Sequence, residues 1–148
     1  MVVRYIDNFL EEIDVEKYLD YVEKSGKIQS IIEDSKLTGE FWSKYGGKLW
    51  DCCGGKILPY VTITNGSRAV SRHKDSRMGG EKYKILIYLN NVEKGGTIFY
   101  GCGGEEKIEN KKNRCVIFDM DIEHESEKFD GGVKREVKKK AIGFRVVI

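Results

Sequence analysis

Hydrophobic and polar positions change rhythm along this chain. Val2 to Ile6 is an apolar-leaning run closed by Asp7-Asn8, which reads as a strand and a turn. Val15, Tyr18, Leu19 and Val22 then recur at i, i+3, i+4 and i+7, the one-sided stripe of an amphipathic helix. Asp14 is placed to cap its start and Gly26 to stop it. Ile28 to Glu33 reads as a strand. Residues 35–56 mix Trp42, Tyr45 and Trp50 with Gly46, Gly47, Gly54 and Gly55, and no regular element is predicted there.

Beyond Lys56 the rhythm becomes that of short strands. Ile57 to Thr64 and Arg68 to Arg72 flank Asn65-Gly66, the dipeptide of a tight hairpin. Tyr83 to Asn90, Thr97 to Tyr100, Arg114 to Asp119 and Ala141 to Ile148 read as further strands. Roughly eight strands with no crossover helices predict a mainly β fold, a sandwich or a jelly roll. Composition agrees: Val and Ile number 27 against 7 Leu and 2 Ala. That excess of β-branched side chains suits strands and not a helical bundle. A length of 148 residues fits a single domain, with 1–55 as an N-terminal region and 56–148 as the β core.

Charge and cysteine content exclude more than they assign. With 26 basic and 24 acidic side chains the net charge is +2, so no global field marks a nucleic-acid or membrane binder. Locally, Lys134, Arg135, Lys138, Lys139, Lys140 and Arg145 face Glu136 alone between residues 131 and 148, a basic tail. No apolar run reaches transmembrane length and the N-terminus lacks the apolar core of a signal peptide, so a cytoplasmic protein without a membrane partner is expected. Cys52, Cys53, Cys102 and Cys115 show neither a disulfide framework nor paired zinc spacings, and reduced thiols are expected.

The chain has only two histidines, which excludes three-histidine metal sites. His73 opens His73-Lys74-Asp75, and residues i and i+2 of a strand point to one face. His124 could complete a two-histidine, one-carboxylate set, the donor arrangement of non-haem Fe(II). Nine of the 148 residues are Asp, so the tripeptide alone is weak evidence. Its surroundings strengthen it. Tyr88-Leu89-Asn90 follows His73 at fifteen residues, then Val92 and Gly95-Gly96-Thr97-Ile98-Phe99, then the strand Cys115-Val116-Ile117-Phe118, then His124 with Gly132 at +8 and Lys134 at +10.

This order resembles the Fe(II)/2-oxoglutarate-dependent oxygenases of the prolyl 4-hydroxylase-like branch, and Tyr5-Ile6-Asp7-Asn8-Phe9-Leu10 is similar to that family's entry strand and turn. The resemblance implies a double-stranded β-helix (jelly roll) with an N-terminal helix packed on it. It implies that His73, Asp75 and His124 hold Fe(II), that Tyr88 and Lys134 bind the far carboxylate of 2-oxoglutarate, and that O2 and, as reductant, ascorbate take part. Arg135 and Lys138 are neighbours that a register slip would substitute for Lys134. The chain also departs from the family. Its G-G-x-T-x-F is one residue short, the tyrosine about ten residues before His73 is replaced by the Ile63-Thr64 region, and Lys84 stands where relatives place Thr. Lys84 shares a strand face with Leu86 and Tyr88 and competes with Lys134 for the carboxylate. The implied activity is hydroxylation of a polypeptide side chain, prolyl first, with release of succinate and CO2. Nucleic-acid demethylation by the same iron chemistry and a catalytically silent jelly-roll binding module are the alternatives. Residues 35–55 are the expected source of substrate loops.

Overall fold

The computed structural model describes residues 3–67, 69–101, 103–128 and 138–148. In chain order the elements are β1 (Val3–Ile6), α1 (Glu12–Lys24), β2 (Gln29–Glu33), α2 (Ser35–Cys53), β3 (Lys56–Gly66), β4 (Glu81–Tyr88), β5 (Thr97–Gly101), β6 (Gly104–Ile108), β7 (Cys115–Asp119), β8 (Glu123–Ser126) and β9 (Lys139–Val147). Six strands form one sheet in the order β1-β7-β4-β9-β3-β2, and three form a second in the order β6-β5-β8. Every pairing between these strands is antiparallel.

Period-two alternation gives the six-stranded sheet two different faces. Val61, Ile63, Ile85, Ile87, Ile142, Phe144 and Val146 turn to one side and pack with both helices in the larger core. On the other side Tyr88, Val116, Phe118 and Ala141 meet Phe99 and Ile108 of the smaller sheet, with the Phe99 and Phe118 rings 4.9 Å apart. The inner space between the two sheets is where the polar side chains of interest converge.

Three sequence expectations need correction. Residues 35–56 are mostly helix: Leu37, Phe41, Tyr45, Leu49 and Cys53 recur every four residues and are buried. Asp34 caps this helix by accepting the Leu37 N–H at 2.9 Å, and Phe41 stacks on Phe144 with ring centroids 3.9 Å apart. Glycines inside it hide the periodicity by lowering helix propensity, although Gly46 has a packing reason. A Cβ there would lie 3.1 Å from the Trp42 indole. Because α2 packs on the side of the sheet away from the smaller sheet, it supplies no loop to the inner space. Asp14 does not cap α1 either; Glu11 holds the cap position, while Asp14 is buried in an ion pair with Lys44 at 2.6 Å.

The hairpin at Asn65-Gly66 is absent. Neither residue has the positive φ of a two-residue turn. Both continue β3, opposite Lys140 and Lys139 of β9. The chain after Ser67 runs to β8 instead, where Val70 O accepts the Ser126 N–H at 2.9 Å.

Candidate metal centre and anion pocket

His73 is not in a strand; it forms an isolated bridge with His124 of β8. Each residue's N–H donates to the other's carbonyl at 2.9 Å. Next door, the Arg72 guanidinium lies 3.8 Å over the Tyr100 ring and bonds Glu123 at 2.5 Å. The segment bearing His73 and Asp75 is thereby stitched to the small sheet.

Both imidazoles are oriented by a carbonyl. His73 Nδ1 lies 2.6 Å from Ser71 O, and His124 Nδ1 lies 3.1 Å from Ile122 O. A carbonyl can only accept, so each Nδ1 is the protonated nitrogen and each Nε2 is left as the basic one. Those two Nε2 atoms face one carboxylate oxygen, Asp75 Oδ1, at 3.3 and 3.5 Å. The three donor atoms all lie within 4.8 Å of one another. Electron-rich atoms converging in this way, with His124 and Asp75 each 9% exposed, call for a cation between them. The donor set and the Nδ1–H···O=C bonds that orient it fit a divalent metal of the non-haem iron type. Phe118 and Phe99 wall the His124 ring at centroid distances of 5.0 and 5.7 Å.

The other oxygen of Asp75 is held differently. Lys84 Nζ lies 2.9 Å from Asp75 Oδ2, with both side chains 9% exposed. No hydrogen-bond geometry is satisfied at Oδ2, so the contact is an ion pair without a well-directed hydrogen bond. Burial by itself would raise the Asp75 carboxyl, but the His124 ring whenever it carries a second proton, together with the Lys84 ammonium, outweighs it and holds the group well below the usual carboxylate range. Burial likewise pushes the Lys84 ammonium down, against the pull of Asp75.

Lys134 lies outside the described residues, as does Arg135. Among the described residues two cations reach the inner pocket, Lys84, which is paired with Asp75, and Lys139, fifteen residues beyond His124. Lys139 is buried and opens β9, whose inward positions are Lys139, Ala141, Gly143 and Arg145. It lines the same cavity as His73, Asp75, His124, Lys84 and Thr97. Its ammonium sits 5.1 Å from the centre of the Tyr88 ring and makes no ion pair with any described residue. Burial lowers it to about 8, with Glu127 opposing. A buried cation without a counter-ion among the described residues is a candidate site for an anion. Tyr88 is buried too, its hydroxyl 2.6 Å from Thr97 Oγ1.

Lys139 was not among the sequence candidates, because an offset counted from His124 depends on the length of the connection, whereas facing depends on strand register. The alternation that places Ala141 inside also places Lys139 there. Beside His73 and Asp75 the cavity widens into a depression of about 380 Å³ flanked by Gln29, Ser30 and Ile31 of β2.

No family model matches the chain, and no curated protein sequence matches it. Solved structures do. A prolyl hydroxylase from Trichoplax adhaerens, determined with a hypoxia inducible factor oxygen degradation domain peptide fragment, aligns with a TM-score of 0.70 over 98% of this chain and 83% of its own, at 19% identity. A Pseudomonas putida prolyl-4-hydroxylase aligns with a TM-score of 0.69 over 99% and 92%, at 11% identity. HygX from Streptomyces hygroscopicus, with nickel, 2-oxoglutarate and hygromycin B bound, aligns with a TM-score of 0.68 over 97% and 81%, at 10% identity. The fold is the one shared by prolyl hydroxylases and other 2-oxoglutarate-dependent oxygenases. Those neighbours were determined with different molecules bound, a peptide fragment in one and hygromycin B in another. No helix among the described residues is long and apolar enough to cross a membrane.

Proposed function

We propose that this chain is an Fe(II)/2-oxoglutarate-dependent dioxygenase of the prolyl 4-hydroxylase-like branch. In this reading the two sheets are the walls of a jelly roll and residues 1–148 are one catalytic domain. One observation carries it: a convergent two-histidine, one-carboxylate donor set and a buried cation with no ion-pair partner among the described residues line the same cavity. His73, Asp75 and His124 hold the metal, and Lys139 takes the role expected of Lys134.

A dicarboxylate suits these two ends. Its far carboxylate pairs with the Lys139 ammonium and accepts from the Tyr88 hydroxyl, a charge-assisted arrangement in a water-poor pocket. Its keto-acid end would then be directed toward the metal that His73, Asp75 and His124 would hold. The bound metal, with 2-oxoglutarate and O2, supplies the oxidising chemistry, one oxygen atom entering the substrate and the other succinate as CO2 leaves. Ascorbate is the expected reductant for restoring Fe(II). The protein's own share is to orient both imidazoles through Ser71 and Ile122, to keep Asp75 ionised, and to exclude water with Phe99 and Phe118.

For the substrate we propose a polypeptide side chain, prolyl first. The sequence motifs point there, and the depression along β2 offers an extended segment a path past the metal ligands. Anaerobic titration with Fe(II) and 2-oxoglutarate tests the central claim through the metal-to-ligand charge-transfer band. Appearance of the band only when both are present is the expected result; its absence sinks the dioxygenase reading. Succinate release with prolyl peptides, against none without peptide, tests the substrate class.

A further inference from the structure

Among the described residues that line the cavity with His73, Asp75 and His124, Lys84 is a charged side chain to which the proposed reaction assigns no contact with metal or co-substrate. We propose that it is a positioning residue which reserves one oxygen of Asp75, so that this carboxylate offers a single oxygen to the metal. The inference rests on the metal-centre reading above and adds a residue to it.

The two oxygens of Asp75 are divided between different partners. Oδ1 faces both imidazole Nε2 atoms, and Oδ2 faces Lys84 Nζ at 2.9 Å. Among the described residues Lys84 has no second anion. Arg145, its neighbour in register on β9, is itself committed to Glu81 at 2.9 Å and to Ser76 O at 2.5 Å. The site is shaped for this reach. Gly143 lies opposite Leu86 on β4 and Thr62 on β3. A Cβ at residue 143 would come within 3.4 Å of Lys84 Cε and 3.2 Å of Thr62 Cβ. The missing side chain leaves the groove through which the lysine crosses the sheet face. A carboxylate can bind a metal through one oxygen or two, and two would consume a position that the co-substrate needs. An ammonium on Oδ2 prevents that.

The test counts metal-bound water in the full-length protein loaded with Mn(II), using line broadening by 17O-labelled water before any 2-oxoglutarate is added. Three protein donors on an octahedral ion leave about three waters, and a two-oxygen Asp75 leaves about two. Wild type is expected to show the higher count, Lys84→Met the lower, and Lys84→Arg the wild-type count. Mn(II) affinity should hold or rise in Lys84→Met, because a nearby positive charge is removed. Its 2-oxoglutarate affinity should fall at least about tenfold, which is about 1.4 kcal/mol. Lys84→Leu, also neutral and apolar, gives the same reading if the methionine variant folds poorly.

An unchanged water count in a variant that binds Mn(II) overturns the assignment. That holds even if 2-oxoglutarate binding weakens, since Lys84 would then touch the co-substrate directly. Loss of Mn(II) affinity together with a lower melting temperature also overturns it, by making Lys84 merely structural. Failure of the wild type to bind Mn(II) would instead strike the metal centre itself, so the two failures are distinguishable.

Discussion

His73 and His124 are joined backbone to backbone, each donating its N–H to the other's carbonyl at 2.9 Å. The two proposed imidazole ligands, fifty-one residues apart in sequence, are therefore registered by main-chain bonds that no side-chain substitution removes. Their rings lie 4.5 Å apart as a consequence. Truncating a ligand should empty the metal site without dispersing the rest of it.

Asp75→Ala tests this with metal and without. Wild-type protein with Mn(II) at a hundred times its Kd gains about 2.7 kcal/mol by mass action. For a chain of this size that amounts to a rise in melting temperature of roughly 5–10 °C. Asp75→Ala should lose the rise, and succinate formation with it. The metal-free variant should also melt lower than metal-free wild type, because Lys84 is left buried without its partner, a loss of about 3–5 kcal/mol. Adding Lys84→Met to Asp75→Ala should recover the metal-free stability and none of the metal response. A metal-dependent rise that survives in Asp75→Ala counts against the donor set.

The candidate donor set that the structure brings together, His73, Asp75 and His124, was readable in the sequence because it is local and scarce: two histidines, one followed by Asp at i+2. The apolar strands were readable because β-branched residues alternate in them. What escaped did so for physical reasons. β6 and β8, Gly-Glu-Glu-Lys-Ile and Glu-His-Glu-Ser, are too polar to announce themselves. In α2 a stripe at every fourth position was obscured by Gly39, Gly46 and Gly47. Asn65-Gly66 resembled a turn, but hydrogen bonding to Ile28 just before β2 on one flank and pairing with β9 on the other keep Asn65 extended. Lys139 was hidden by counting along the chain when the deciding quantity was its register on β9.

Phe41→Ala separates scaffold from site. Phe41 stacks on Phe144 and also contacts the Phe9, Tyr18 and Tyr45 rings. Removing it should cost about 3–5 kcal/mol in denaturant unfolding. The cluster lies across the sheet from the metal ligands, so Mn(II) affinity of the folded fraction should be unchanged. A large loss of metal affinity would mean that α2 shapes the site after all.

Tyr88→Phe removes one hydroxyl from a buried pair and leaves Thr97 Oγ1 without its 2.6 Å partner. Stability should fall by about 1–3 kcal/mol, the penalty of an unsatisfied buried group. Weakening of 2-oxoglutarate binding by about tenfold is expected on top, with Mn(II) affinity intact. Isothermal titration of each ligand in turn checks this. An unchanged 2-oxoglutarate affinity would return Tyr88 to the plain core.

Lys139 carries a prediction whose sign follows from its burial. The ammonium titrates at about 8 in the folded protein against an ordinary 10.5, the lowering coming from desolvation. Between those values the unfolded chain holds the extra proton, so stability should rise with pH from about 8 to 10.5; below 8 both states are protonated and the penalty is constant. A far carboxylate bound to Lys139 reverses the preference, because it favours the charged form. Affinity for 2-oxoglutarate should therefore be flat up to about pH 8 and weaken above it, approaching tenfold per pH unit. Lys139→Arg keeps its charge throughout and should flatten the profile while retaining binding. Lys139→Ala should weaken 2-oxoglutarate by on the order of a hundredfold or more, as expected when one partner of a buried pair is lost. Mn(II) affinity should stay close to wild type in both variants. Lys134→Ala is the discriminating control. If it, and not Lys139→Ala, abolishes 2-oxoglutarate binding, the carboxylate cation is at the sequence-spaced position and Lys139 has another role.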